Sequence, residues 1–173
     1  DQPCVNLVTV GRLSSEKGQD MIPAVTRRLL DAGYPVRWYI IGDGDQRENI
    51  EALCRKHGVQ DQVYLLGTRT NPYPHMAHCD IYIQPSYTEG YSTTICEAGM
   101  LGKAIVGTKP SGGIWEQICN GKDGFIVDAT VDGLTEGIRT LIEDESLRSS
   151  FSERIKQKNF EGIGEIRKFL ELL

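Results

Sequence analysis

Two glutamates, Glu89 and Glu97, stand eight positions apart in the run Pro85-Ser86-Tyr87-Thr88-Glu89-Gly90-Tyr91-Ser92-Thr93-Thr94-Ile95-Cys96-Glu97-Ala98. They bracket a Gly90-Tyr91-Ser92 turn that reads as the start of a helix. Ser92 is a good N-cap, so the amides of Gly90, Tyr91 and Ser92 are expected to gather at the positive end of a helix over 92–100. Such an end favours an anionic group, a phosphate for instance. Glu89 then falls at the loop tip and Glu97 on the second helical turn. An anion cradle flanked by two carboxylates suits a ligand that is part phosphate and part polyol: phosphate takes the amides and hydroxyls donate to the carboxylates. The plainer alternative makes both glutamates solvated charges near a helix start, where carboxylates are stabilising in any case.

A second source of charge lies near the N-terminus, in the loop Gly11-Arg12-Leu13-Ser14-Ser15-Glu16-Lys17-Gly18. Arg12 is able to clamp a phosphate with its planar fork, and Lys17 adds a point charge. An ordinary solvated surface loop is the competing explanation for this pair.

The elements that must position these residues alternate. Val5–Val10, Val36–Ile41, Val63–Leu66, Asp80–Gln84, Ala104–Gly107 and Gly124–Val127 read as short strands. Between them, Ile22, Val25, Leu29 and Leu30 mark a helix that stops at Gly33, and Ile50, Leu53 and Cys54 mark one that ends near Gly58. Residues 71–79, broken by Pro72 and Pro74, make at most a short helix. A turn at Pro110-Ser111-Gly112-Gly113, a helix around Ile114–Cys119 and a helical stretch from Thr130 into an amphipathic tail complete the pattern. Strand–helix alternation with short glycine turns predicts an α/β fold: a Rossmann-like, doubly wound parallel sheet in three α/β/α layers. In such sheets ligands bind beyond the carboxyl ends of the strands. Those loops offer Gly11, Arg12 and Lys17; then Gly42-Asp43-Gly44; then Gly67, Thr68 and Arg69; then Ser86, Glu89, Gly90 and Tyr91; and last Thr108, Ser111, Gly112 and Gly113.

Composition sets limits. At 173 residues the chain is long enough for one well-cored domain, here 1–173, and too short for two comfortable ones. A net charge of −5 argues against nucleic acid or an anionic bilayer as a general partner. No apolar run approaches the roughly 20 residues needed to span a membrane, and no signal peptide is visible. The five cysteines (Cys4, Cys54, Cys79, Cys96, Cys119) form no C-x-x-C pair and each adjoins an apolar stretch, which predicts small buried hydrophobes in a reducing, cytoplasmic setting. Asp1 in place of Met implies a processed chain or a piece of something longer.

Three tempting motifs fail. Gly42-Asp43-Gly44 opens like a dinucleotide fingerprint, but position 47 is Arg where the third glycine belongs. Asp43 and Asp45 are explained by a glycine turn and a helix N-terminus without a metal. His75, His78 and Cys79 lack a fourth ligand and a regular spacing, so a zinc site is not expected.

Taken together, Val10-Gly11-Arg12-Leu13-x-x-Glu16-Lys17-Gly18, Ile41-Gly42-Asp43-Gly44, Val63-x-Leu65-Leu66-Gly67, Pro85-Ser86-x-x-Glu89-Gly90 with Glu97-Ala98, and Gly113-x-x-Glu116 with Gly124 resemble the C-terminal domain of GT-B-fold retaining glycosyltransferases of the family 4 type. The match runs in order over roughly residues 5 to 130. The resemblance implies a domain that binds a nucleotide-diphosphate sugar, UDP- or GDP-linked, as part of a retaining hexosyltransferase. Arg12 and Lys17 would hold the diphosphate, Glu89 the sugar hydroxyls, the amides of Gly90, Tyr91 and Ser92 a phosphate, and Glu97 the ribose. The base would lie against the backbone of Gly67, Thr68 and Arg69, with Gly11 and Gly42 shaping the site. No metal or other cofactor is implied, because the positive loop takes that role. A sugar or lipid-linked acceptor would come through an N-terminal domain that these 173 residues do not contain. The resemblance thus allows a full-length protein held at the inner face of a membrane, and it implies that this domain alone transfers no sugar. Tyr91-Ser92 departs from the Phe or Leu followed by Gly or Pro commoner in the family. Two other readings stay open: a non-catalytic nucleotide-sugar-binding module, and a sugar-nucleotide epimerase on the same fold. The epimerase would need acid/base groups near the anomeric centre, and His57, His75 and His78 lie away from the strand-end loops.

Overall fold

The computed structural model describes residues 3–109, 117–158 and 160. Six parallel strands form one sheet: β1 (Val5–Val10), β2 (Val36–Ile41), β3 (Val63–Gly67), β4 (Ile81–Gln84), β5 (Ala104–Thr108) and β6 (Phe125–Val127), in the order β3-β2-β1-β4-β5-β6. The connecting helices are α1 (Ile22–Asp31), α2 (Arg47–His57), α3 (Tyr73–His78), α4 (Thr93–Met100), α5 (Val131–Glu143) and α6 (Glu145–Lys156). The predicted doubly wound α/β fold is what the chain adopts, and among the described residues the strands and the helices other than the one expected around 114–119 hold to within a residue or two.

Strands covered on both faces must be apolar on both, and β4 and β5 are buried at every position. Alternation splits them between two cores. Leu7, Trp38, Ile40, Ile81, Ile83 and Val106 face α1, α2 and α5, while Val8, Ile41, Tyr82 and Ile105 face α3 and α4. Phe151 and Ile155 of α6 reach one core each. Each full burial of a Leu or Ile side chain contributes about 1.5–3 kcal/mol.

Two expectations are corrected. Cysteine burial holds for Cys54, Cys79 and Cys96, but Cys4 is only half-buried and Cys119 is exposed. Cys119 precedes a turn that presents it to solvent, its amide donating to Asp123 Oδ1 at 2.7 Å. Gln117 lies in a turn, and Ile118 and Cys119 are not helical, so the expected helix does not extend over them. The turn at 110–113, Glu116, the remainder of that helix and the amphipathic tail beyond residue 160 lie outside the described residues.

Candidate ligand site at the strand-order switch

The sheet runs outward in both directions from β1 and β4, so the loops after these two strands diverge and leave a crevice between them. The loop after β1 carries Arg12 and Lys17, and the loop after β4 carries Glu89. Leu13, fully buried, pins the first loop to the core. The second loop docks on the first through its backbone: the amides of Tyr87 and Thr88 donate to the Glu16 carbonyl at 2.9 and 3.2 Å. Gly18, at φ +65°, lies directly against Pro85. These contacts bring Lys17 onto Glu89, with Nζ 2.9 Å from both carboxylate oxygens. Glu89 is the more enclosed partner, its side chain 10% exposed against 24% for Lys17.

Beneath the pair lies a network that the sequence pattern did not point to. Gln84, buried at the end of β4, donates from Nε2 to Glu89 Oε2 and Ser86 Oγ, both at 3.0 Å. Its Oε1 accepts from the Tyr82 hydroxyl at 2.9 Å and the Thr94 hydroxyl at 3.2 Å. Ser86 Oγ also donates to Glu89 Oε2 at 2.9 Å. A polar residue closing an otherwise apolar strand was the one available signal for Gln84.

Helix α4 starts as expected. Ser92 is its N-cap and accepts from the Ile95 amide at 3.4 Å. The Ser92 amide, however, donates to Gln117 Oε1 at 2.9 Å, while Gln117 Nε2 donates to the Ser92 carbonyl at 2.7 Å. In this arrangement that amide is committed to the protein and is not part of the anion cradle; a buried N–H needs a partner, and buried Gln117 supplies it. Thr93 and Thr94 line the crevice instead, with Val10, Gly11, Arg12, Lys17, Gln84, Glu89, Tyr91 and Ser92, around a volume of about 250 Å³.

The other candidates are spread more widely. Gly11 lines the crevice, and its amide donates to the Ile41 carbonyl at 2.9 Å. Gly42 lies under that loop, where a β-carbon would stand 1.9 Å from the Gly11 carbonyl oxygen, and its own amide donates to the Gly67 carbonyl. Gly42 therefore packs backbone on backbone. Gly67 ends β3 at the sheet edge, with Thr68 and Arg69 exposed just beyond it, and Gly90 is exposed at the loop tip. None of these four lines the crevice among the described residues. Glu97 sits half-buried on α4, its Oε1 accepting from the Tyr73 hydroxyl at 3.2 Å. Burial pushes its carboxyl above the usual carboxylate range, against the opposing effect of the tyrosine. His75 and His78 border a separate hollow near the start of β1 with Asn6 and Val8, so neither serves the crevice. Among the described residues no three His, Cys, Asp or Glu side chains converge as metal ligands.

A doubly wound sheet with a cationic, carboxylate-bearing crevice at its switch point defines a class of α/β domain that takes its ligand at the carboxyl ends of the strands. Within that class the chain belongs to the family of glycosyl transferases group 1, whose model matches residues 5–158. It is 27% identical over 153 residues to the N-acetylgalactosamine-N,N'-diacetylbacillosaminyl-diphospho-undecaprenol 4-alpha-N-acetylgalactosaminyltransferase of Campylobacter jejuni, covering 88% of this chain and 41% of that protein. It is 30% identical over 156 residues to the lipopolysaccharide core biosynthesis glycosyltransferase LpsE of Rhizobium meliloti, covering 89% and 44%. Among solved structures, Anabaena HepE in complex with UDP and glucose superposes with a TM-score of 0.80 at 25% identity, covering 87% of this chain and 42% of that one. The chain thus spans less than half the length of these relatives.

Proposed function

We propose that this chain is the donor-binding domain of a retaining glycosyltransferase, taking a nucleotide-diphosphate sugar and passing the sugar to an acceptor held by a further, N-terminal domain. The observation that carries the reading is the pairing of Lys17 with Glu89 beside Arg12, over the start of α4, in one crevice at the switch point. Family membership supports it, as does the complex of HepE with UDP and glucose. Breaking the anomeric C–O bond leaves negative charge growing on the diphosphate. Arg12, Lys17 and the α4 N-terminus stabilise that charge more in the transition state than in the ground state, which is what accelerates the step. Loss of one such preorganised group costs about 2.7–4 kcal/mol of barrier. On binding, the diphosphate takes over Lys17, and Glu89 accepts hydroxyls of the sugar. Glu97 takes the ribose and the backbone of Gly67 to Arg69 the base. The positive loop does the work of a metal, so none is required.

The acceptor is a sugar or a lipid-linked sugar, and the site of action is the cytoplasmic side, at the inner face of a membrane where the acceptor is lipid-linked. No described helix is long and apolar enough to cross a membrane. Calorimetric titration with UDP, GDP and ADP in EDTA tests the proposal on the native chain and on Lys17→Ala and Glu97→Ala. Saturable binding of one nucleotide, weakened in both variants, is expected. Failure of all three nucleotides to bind the native chain would overturn the reading, and unchanged affinity in both variants would overturn the residue roles.

A further inference from the structure

Gln84 touches the crevice from below, and every hydrogen-bonding position of its side chain is in use. Its carboxamide orientation is fixed by chemistry: the oxygen meets two hydroxyl donors, and the nitrogen meets a serine oxygen and a carboxylate. Reversing the amide would set its oxygen against Glu89. Glu89 Oε2 therefore receives three donors, from Gln84, Ser86 and Lys17, which exceeds its two lone pairs. Among the described residues Oε1 receives only Lys17.

We infer that Gln84 is a positioning residue for recognition of the donor's sugar: it closes Glu89 Oε2 and holds the carboxylate in one orientation, leaving Oε1 as the acceptor for a sugar hydroxyl. This rests on the donor-domain reading. The consequence is a split between ligands. A bare nucleotide diphosphate does not use Glu89 and is indifferent to Gln84, whereas a nucleotide sugar is not.

The experiment titrates UDP and UDP-glucose in EDTA into the native chain, Gln84→Leu and Gln84→Glu; where GDP or ADP is the nucleotide bound, GDP-mannose or ADP-glucose replaces UDP-glucose. In Gln84→Leu, loss of a hydrogen bond to a charged group is expected to weaken UDP-glucose roughly ten-fold, with UDP held within about two-fold. Gln84→Glu preserves the acceptor oxygen for Tyr82 and Thr94 and so guards against a simple folding defect. Its introduced carboxyl donates to Glu89 when protonated and repels it when ionised. The ratio of UDP-glucose to UDP affinity is thus expected to fall between about pH 5 and pH 8 in this variant and to stay flat in the native chain, the titration of Glu97 acting on both ligands alike. Equal weakening of UDP and UDP-glucose in Gln84→Leu, no weakening of either, or a UDP-glucose to UDP ratio that stays flat with pH in Gln84→Glu would overturn the role of Gln84 while leaving the donor domain standing. No nucleotide binding by the native chain would overturn both.

Discussion

Gly18 and Pro85 lie so close that a β-carbon on Gly18 would stand 2.0 Å from the Pro85 carbonyl oxygen. One residue from each of the two site loops is therefore in backbone contact, one position away from Lys17 and four from Glu89. The Lys17–Glu89 pair is set by this contact as well as by charge, because the contact fixes the backbones that carry the two side chains.

Gly18→Ala separates packing from backbone conformation when compared with Gly58→Ala. Both glycines are left-handed, at φ +65° and +64°, but nothing lies within 4 Å of a β-carbon on Gly58. Gly58→Ala is expected to cost about 1–2 kcal/mol, the conformational penalty alone. Gly18→Ala should cost more than this and weaken nucleotide binding as well, since the loops must separate. Chemical denaturation of both variants is the check, and equal losses would show that the Pro85 contact does not matter.

Glu97 gives a pH-dependent prediction. Its folded-state carboxyl titrates above the ordinary 4.5 because burial disfavours the charge. A raised value means that stability present below the ordinary value is lost as pH rises through the raised one. Glu97→Gln removes that loss and still accepts from Tyr73. The variant should therefore melt at a higher temperature than the native chain at about pH 7, with the difference vanishing near pH 4. Thermal melts across that range would refute the assignment if the native chain were the more stable at neutral pH. Nucleotide affinity is expected to move the opposite way, falling in the variant, because that carboxylate is the one proposed to take the ribose.

Gln117 is the tether of the α4 start. Gln117→Leu leaves the buried Ser92 amide without an acceptor, whereas the Ser92 carbonyl keeps a bond from the Cys96 amide at 3.3 Å. One orphaned buried group costs about 1–3 kcal/mol. For a chain of this size each kcal/mol lowers Tm by about 2–4 °C. Amide hydrogen exchange gives the direct readout: Ser92 should lose its protection while β1 and β4 keep theirs. Retained protection at Ser92 would show that some other acceptor replaces Gln117.

What was legible in the sequence divides along a physical line. Arg12, Lys17, Glu89 and the Ser92 cap were visible because each is fixed by local chemistry: a strand end, a glycine turn, a capping hydroxyl. The central strands β4 and β5 were visible because burial on both faces leaves continuous apolar runs, and the others because short β-branched and aromatic runs are bounded by glycine turns. Gln117 and Tyr73 were not, because their partners lie on other elements; Gln117 reaches Ser92 across 25 positions and Tyr73 reaches Glu97 across 24. Gln84 was missed although its partners lie within ten positions, because a polar residue closing a strand says nothing of which way its amide faces. How Gly42 shapes the site was likewise not legible: only the structure shows that it makes room for the Gly11 carbonyl of the neighbouring loop.

The cysteines provide a test of the fold that needs no ligand. Burial pushes the Cys54 thiol up to about 11 and the Cys79 thiol up to about 12, and Cys96 is fully enclosed on the buried side of α4. Thiol reagents attack the thiolate, so at about pH 8 these three should be inert while the chain is folded. Cys119 is exposed, with the Lys158 ammonium 3.7 Å from its sulfur, and should react first; half-buried Cys4 should follow more slowly. Peptide mapping after timed exposure to a bulky thiol reagent gives the order, and denaturant should release the other three together, because Cys54 belongs to one core and Cys79 and Cys96 to the other, on opposite faces of the same sheet. Early labelling of Cys79 would mean that α3 does not seal the start of β4. Release of Cys54 well before Cys96 would show that the two faces of the sheet unfold separately.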